Sequence, residues 1–206
     1  MGINIWGNTG AVAPGPVKVV VIACLVATGA TFVLWQTVDN ALEEHHVIES
    51  AQAVGLSLAA ALHCARMRAA KIAGSFSLHA TLALLSFSLV LREVDVDALG
   101  VQAFWANIQL MLRIVAVGLW VVLTVHLVRQ RKILLRLWHP LVFSPCSRFV
   151  WGGIGLYLLS WPFDKELVPL PPATSVFFEE ALQLNAATLF LIGVLLARGI
   201  ENPRFR

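Results

Sequence analysis

The sequence is poor in charged residues. Asp, Glu, Lys and Arg together make up 13% of its 206 residues, against about a quarter in a typical soluble domain. Hydrophobic residues make up 58% of the chain, and a soluble protein this apolar would expose large patches that promote association. A bilayer covers such a surface with lipid. The composition therefore excludes an ordinary soluble domain and favours a membrane protein.

Paired cysteines and a secretory signal are also lacking. The three cysteines, Cys24, Cys64 and Cys146, are scattered, with no CxxC pair and no histidine at zinc-finger spacing. Neither a disulfide framework nor a zinc module is therefore indicated. Residues 1–16 lack the basic region of a secretory signal, so the first apolar run, residues 17–36, is predicted to be a retained membrane helix.

Six apolar stretches follow one another along the chain. A membrane helix needs roughly 20 residues to cross about 30 Å of hydrocarbon. The stretches cover residues 17–36, 47–64, 72–91, 107–128, 149–163 and 175–197. The sequence therefore predicts an all-α, polytopic membrane protein, in which residues 1–206 form one domain with about six transmembrane helices.

Charge alternates between the loops that join these spans. Most basic residues flank span one or lie between spans two and three, between spans four and five, or after span six: Lys18, Arg66, Arg68, Lys71, Arg129, Arg131, Lys132, Arg136, Arg148, Arg198, Arg204 and Arg206. All acidic residues except Glu201 lie at the opposite ends of the spans. By the positive-inside rule the basic loops are cytoplasmic. This predicts cytoplasmic N- and C-termini in a bacterial-type inner membrane.

Polar residues share one face on spans two and six. His45, Glu49 and Gln52 lie at positions i, i+4 and i+7, so they lie on one side of a helix. Glu179 and Gln183 share a face of span six in the same way. Both faces enter the membrane from the predicted outer side.

Spans three and four carry further polar residues. Span three has four at helical spacing: Ser75, His79, Ser86 and Glu93. Span four has Gln109 and Arg113 at positions i and i+4. An arginine inside an apolar span costs at least a few kcal/mol unless it is paired. Arg113 is therefore predicted either to form an ion pair with a glutamate near the outer end, from the set Glu49, Glu93, Glu179 and Glu180, or to bind an anion or a lipid head group.

Together these faces predict a polar pocket in the outer half of the bundle. The candidate catalytic carboxylates are Glu49, Glu93, Glu179 and Glu180, and the candidates for substrate binding or ion pairing are Arg113, Arg92, Gln52 and Gln183. His45 and His46 could ligate a divalent metal together with carboxylates, or a buried glutamate could act as general acid or base. Such a pocket favours a membrane-embedded enzyme acting on a lipid-linked or head-group substrate at the extracytoplasmic face.

The same pattern of polar residues is also compatible with other functions. The polar residues could fix helix packing in a non-catalytic membrane subunit or assembly factor with a protein partner in the membrane. A haem is less favoured, although His63, His79 and His126 lie on three successive spans. A transporter is also less favoured, because no inverted repeat is evident. Membrane lipid is the expected partner, and nucleic acid is not expected.

Two shorter patterns concern packing. Residues 129–139 alternate basic and apolar side chains, which predicts an amphipathic segment on anionic lipid at the cytoplasmic surface. Gly152, Gly153 and Gly155 of span five predict a close approach to a neighbouring helix, because small residues let helix backbones pack tightly in lipid.

The orientation can be tested with reporter fusions. Reporters fused after Arg68, Arg136 or Arg206 are expected to show cytoplasmic activity, because these positions follow basic loops. Reporters fused near Asp97 or Lys165 are expected to show extracytoplasmic activity. Paired alkaline phosphatase and fluorescent protein fusions measure both states. One fusion with the reverse pattern would contradict the six-span arrangement.

Overall fold

The computed structural model describes residues 14–37, 47–70, 73–94 and 102–197. Within these ranges the chain forms seven helices and no strand. The helices are α1 (Pro14–Thr37), α2 (Val47–Ala69), α3 (Ala73–Glu93), α4 (Gln102–Arg129), α5 (Arg131–Val142), α6 (Pro145–Asp164) and α7 (Pro172–Leu195). The all-α prediction is confirmed, and a helix lies at the position of each predicted span.

Four of the described helices are long and apolar enough to cross a membrane. They are α2, α3, residues Ala106–Arg129 of α4, and α7. In α1 the apolar stretch Lys18–Val33 is shorter. α6 has 20 residues but is not among the helices that are apolar enough over that length. The chain is therefore a helical membrane protein, and α1 and α6 are the two predicted spans that are not among these four helices.

α7 is the central helix of the bundle. α6 and α2 pack against α7, α1 packs along it, α3 packs against α2, and α4 packs against α3. The most apolar window of α7 is 56% buried inside the protein, whereas that of α4 is only 17% buried. α4 therefore lies at the periphery, with its large apolar side chains directed to the surroundings.

The contact between α6 and α7 depends on glycine. A Cβ atom added at Gly153 would lie 2.7 and 2.8 Å from two ring carbons of Phe190, and Phe190 is fully buried. At Gly152 it would lie 3.2 Å from Leu189. Gly155 has nothing within 4 Å. The predicted close approach is confirmed at Gly153 and wrong at Gly155, which lies on the exposed side of α6.

α5 is the helix at the predicted amphipathic segment. Leu137 and Leu141 lie against Gly74 near the start of α3, whereas Arg136 and Trp138 are exposed. α5 therefore turns apolar residues toward α3, while its exposed side carries both basic and apolar residues. α5 thereby connects α4 to α6 at one end of the bundle.

The two ends of the bundle differ in charge. At the basic end α2 and α4 end and α3 and α6 begin, with Arg66, Arg68, Arg129 and Arg148 nearby. At the acidic end α2, α4 and α7 begin and α3 and α6 end. All acidic residues that the structure describes lie at the acidic end. The alternation in helix direction thus collects the carboxylates of distant sequence segments.

The α6–α7 contact can be tested with two matched substitutions. Gly153→Ala is expected to lower the free energy of unfolding by about 1–3 kcal/mol, because an added methyl group overpacks a filled contact. Gly155→Ala is expected to be neutral or stabilising by up to ~1 kcal/mol, because Ala is the better helix former. Unfolding in one detergent measures both. An equal loss of unfolding free energy in the two variants would contradict a specific contact at Gly153.

Candidate functional site

α2 brings Glu49 and Gln52 to the acidic end. The helix begins at Val47, so Glu49 lies in its first turn. Gln52 is fully buried. Its Nε2 donates to Oε2 of Glu180 at 2.6 Å and lies 3.4 Å from the Glu180 carbonyl oxygen. This hydrogen bond joins α2 to α7 and orients the Glu180 carboxylate.

α7 contributes two adjacent carboxylates, Glu179 and Glu180. Glu180 is only 8% exposed. Nε2 of Gln183 donates to Oε1 of Glu179 at 2.9 Å and lies 3.5 Å from Oγ of Ser160 on α6. Each of the two carboxylates therefore accepts from a different glutamine amide: Glu180 from Gln52 and Glu179 from Gln183.

Glu93, the last residue of α3, is the fourth carboxylate at this end. Its side chain is 6% exposed, and its Oε1 lies 3.9 Å from Nε of Arg92. The Arg92 guanidinium also lies over the Tyr157 ring, 5.7 Å from its centre. The Tyr157 hydroxyl interacts with the Glu93 carboxylate. Within the described part of the chain, however, neither that hydroxyl nor Oε1 of Glu93 has an aligned hydrogen-bond partner.

These residues form one electrostatically coupled group. Glu93 and Glu180 each interact with both Glu49 and Glu179. We call Glu49, Glu93, Glu179 and Glu180 the carboxylate cluster. Among the described bases, Arg92 alone forms an ion pair with Glu93, Glu179 or Glu180. Negative charge therefore exceeds positive charge when the cluster is fully ionised.

The carboxylate cluster has the features of a site for proton transfer. Carboxylates that share a site oppose simultaneous ionisation, so such a group can hold and release a proton. Gln52 orients Glu180, while Oε1 of Glu93 and the Tyr157 hydroxyl have no aligned hydrogen-bond partner among the described residues. A positioned carboxylate with an available oxygen is the arrangement that general acid–base chemistry needs.

Most of the site residues predicted from the sequence lie together. They are Glu49, Gln52, Glu93, Glu179, Glu180 and Gln183, with Arg92 at the edge. His45 and His46, the predicted metal ligands, lie outside the described residues. Tyr157 and Ser160 of α6 join the same group without having been predicted. Tyr157 is the only tyrosine of the chain, and its position three residues before Ser160 is the signal that marks a polar face on α6.

Arg113 does not join the carboxylate cluster. It is exposed, and it forms no ion pair with any residue that the structure describes. The predicted pairing of Arg113 with a glutamate is therefore wrong. Gln109 on the same helix is buried and donates to the Val94 carbonyl oxygen at 3.3 Å. Four residues rotate a helix about 40° past a full turn, so Arg113 falls beyond the face that packs on α3.

A histidine pair lies nearer the basic end. Nδ1 of His63 and Nδ1 of His79 are 3.0 Å apart, and both side chains are fully buried. One ring therefore donates to the other. His126 contacts Oγ of Ser77 instead, at 3.2 Å. His63 therefore contacts His79 and not His126.

Among the residues that the structure describes, no group of three or more His, Cys, Asp and Glu side chains is arranged to hold a metal ion. A metal in the carboxylate cluster would therefore depend on ligands such as His45 and His46.

Comparison with known proteins gives no relative from which a function could be transferred. No protein-family model, no curated protein and no solved structure matches this chain. The function must therefore be inferred from the residues of the site.

The role of Glu180 as hydrogen-bond acceptor can be tested by two substitutions. Glu180→Ala is expected to lower the free energy of unfolding by about 1–3 kcal/mol, because it leaves the buried Gln52 amide without this acceptor. Glu180→Gln retains a side-chain oxygen and is expected to cost less. Thermal unfolding of both variants in the same detergent measures the difference. Equal losses would contradict the hydrogen bond.

Proposed function

We propose that this protein is a membrane-embedded enzyme that performs acid–base chemistry on a lipid head group or lipid-linked substrate. The carboxylate cluster is its site, and the extracytoplasmic face of a bacterial-type inner membrane is its place of action. The observation that carries the proposal is that four glutamates at the acidic ends of α2, α3 and α7 interact electrostatically with one another, one of them held by Gln52. Few structural needs require so many carboxylates in one apolar environment, since each is costly to bury.

The position of the cluster supports a substrate at the membrane surface. Glu49 lies in the first turn of α2 and Glu93 is the last residue of α3. Helix ends of membrane spans lie near the head groups rather than at the centre of the bilayer. The positive-inside rule assigns the acidic end to the extracytoplasmic side. A head group at that surface is therefore within reach of the cluster.

The contacts suggest a division of roles within the cluster. Gln52 donates to Glu180 and Gln183 donates to Glu179, so these carboxylates are held in place. Glu93 has an oxygen without an aligned partner and lies beside the Tyr157 hydroxyl. We assign the proton-transfer role to Glu93, with Glu180 as the second carboxylate and Tyr157 as a donor toward substrate.

The alternative is a non-catalytic membrane subunit, and one observation favours it. The hydrogen bond from Gln52 to Glu180 at 2.6 Å joins two helices that are far apart in sequence. Such buried polar contacts can specify helix packing without any chemistry. Under this alternative the cluster stabilises the bundle, and the partner is another membrane protein.

An assay of lipid turnover separates these two functions. Purified protein is reconstituted into vesicles of a bacterial polar lipid extract, and head-group masses are followed by mass spectrometry. We expect a time-dependent change with the unsubstituted protein and a loss of at least about 100-fold in rate with Glu93→Gln, the typical contribution of a general acid or base.

Glu166→Gln is the matched control for this assay. Glu166 is exposed in the loop between α6 and α7, so its substitution is expected to leave the rate unchanged. Unfolding of each variant is measured in parallel. A Glu93→Gln variant that is folded and retains the full rate would exclude the assigned role. No turnover of any lipid, with Glu93→Gln altered only in stability, would favour the non-catalytic subunit.

A further inference from the structure

A second candidate site lies between α3 and α4. A cleft of about 420 Å³ runs between α3 and α4, and Arg92 and Arg113 both line it. Each has an exposed side chain. The cleft therefore brings guanidinium groups from two helices to one surface within the outer part of the bundle.

The position of Arg113 requires compensation. It lies within the apolar segment Ala106–Arg129, about 10 Å along the helix axis from Ala106 at 1.5 Å per residue. It has no ion-pair partner among the described residues. A charged side chain at a lipid-facing position is costly, and the cost falls when the side chain extends to the interface and meets an opposite charge. An anion from outside the described residues would lower this cost further.

Arg92 also keeps donors for a ligand. Its contact with Glu93 is long, at 3.9 Å, and its side chain is 45% exposed. A guanidinium has five N–H donors in a planar fork. One guanidinium can form two charge-assisted hydrogen bonds with the oxygens of one phosphate. Two such groups beside one cleft match a phosphate better than they match a single carboxylate.

The rest of the cleft is apolar. Leu91 of α3 and Ala116 and Val117 of α4 line it. Farther from the acidic end, Nε1 of Trp120 donates to Oγ of Ser88 at 3.0 Å, which joins α4 to α3. The cleft thus has cationic side chains toward the membrane surface and apolar side chains toward the membrane interior. This is the polarity of a phospholipid, with a phosphate above and acyl chains below.

We infer that the cleft between α3 and α4 is a binding site for a phospholipid of the outer leaflet. Its phosphate group pairs with Arg92 and Arg113, and an acyl chain lies along Val117 and Trp120. The inference does not depend on whether the carboxylate cluster is catalytic. It requires only the two arginines and the apolar walls of the cleft.

Trp120 provides a readout confined to this cleft. Purified protein in a non-ionic detergent is titrated with phosphatidylglycerol that carries bromine on its acyl chains. The signal is the quenching assigned to Trp120, obtained by subtracting the quenching measured with Trp120→Phe. Lipid bound to the basic helix α5 does not enter this difference. We expect saturable quenching of Trp120 at a low mole fraction of the lipid.

Substitutions at Arg113 test the phosphate contact. Arg113→Gln is expected to raise the apparent dissociation constant about tenfold, the scale of one charge-assisted hydrogen-bonded pair. Arg113→Lys keeps the charge and is expected to raise it less. Arg129→Gln, at the basic end of the same helix, is the matched control and is expected to leave it unchanged. Thermal unfolding establishes that each variant is folded.

Two further ligands identify the source of the phosphate. Brominated diacylglycerol lacks the phosphate and is expected to quench Trp120 only at much higher mole fraction. Inorganic phosphate lacks the acyl chains and is expected not to displace the lipid at equal concentration. Equal quenching by phosphatidylglycerol and diacylglycerol would overturn the inference. So would displacement by equimolar inorganic phosphate, or an unchanged dissociation constant in folded Arg113→Gln.

Discussion

The structure depends on buried contacts between polar side chains at the acidic end of the bundle. α2, α3 and α7 each carry a carboxylate at the acidic end, and hydrocarbon offers none of them a partner. The hydrogen bond from Gln52 to Glu180 joins α2 to α7, and the ion pair of Arg92 with Glu93 lies within α3. Rotation of α2 or α7 would break the first of these contacts and leave a buried polar group without its partner.

Tight packing of α6 on α7 makes this arrangement precise. Gly153 of α6 lies against the buried Phe190 ring, and Gly193 of α7 lies against the backbone of α6 near Cys146. Because these contacts leave no room for a side chain, they fix the register of the two helices. That register places Tyr157 on the core side of α6, next to Glu93. The apolar contacts therefore position the groups that the polar contacts hold.

The sequence predicts the helices well, because a membrane span is a property of a local stretch of residues. Helical spacing also indicates which side of each helix is polar, which is how the sequence proposes the members of the carboxylate cluster. It does not predict the relative rotation of neighbouring helices. Arg113 shares a predicted face with Gln109, yet the packing of α4 on α3 buries Gln109 and leaves Arg113 exposed. The contact of His63 with His79 is likewise set by how α2 meets α3, which periodicity alone leaves open.

Arg92 lies at the boundary between the carboxylate cluster and the arginine-lined cleft. It contacts Glu93 at 3.9 Å and lies over Tyr157, and it also lines the cleft with Arg113. A phosphate bound in the cleft would compete with Glu93 for the same guanidinium. Such competition would leave the carboxylate cluster with less positive charge nearby, and by reciprocity the state of the cluster would alter the affinity of the cleft. The two proposed sites would therefore be coupled through a single side chain, although neither requires the other in order to form.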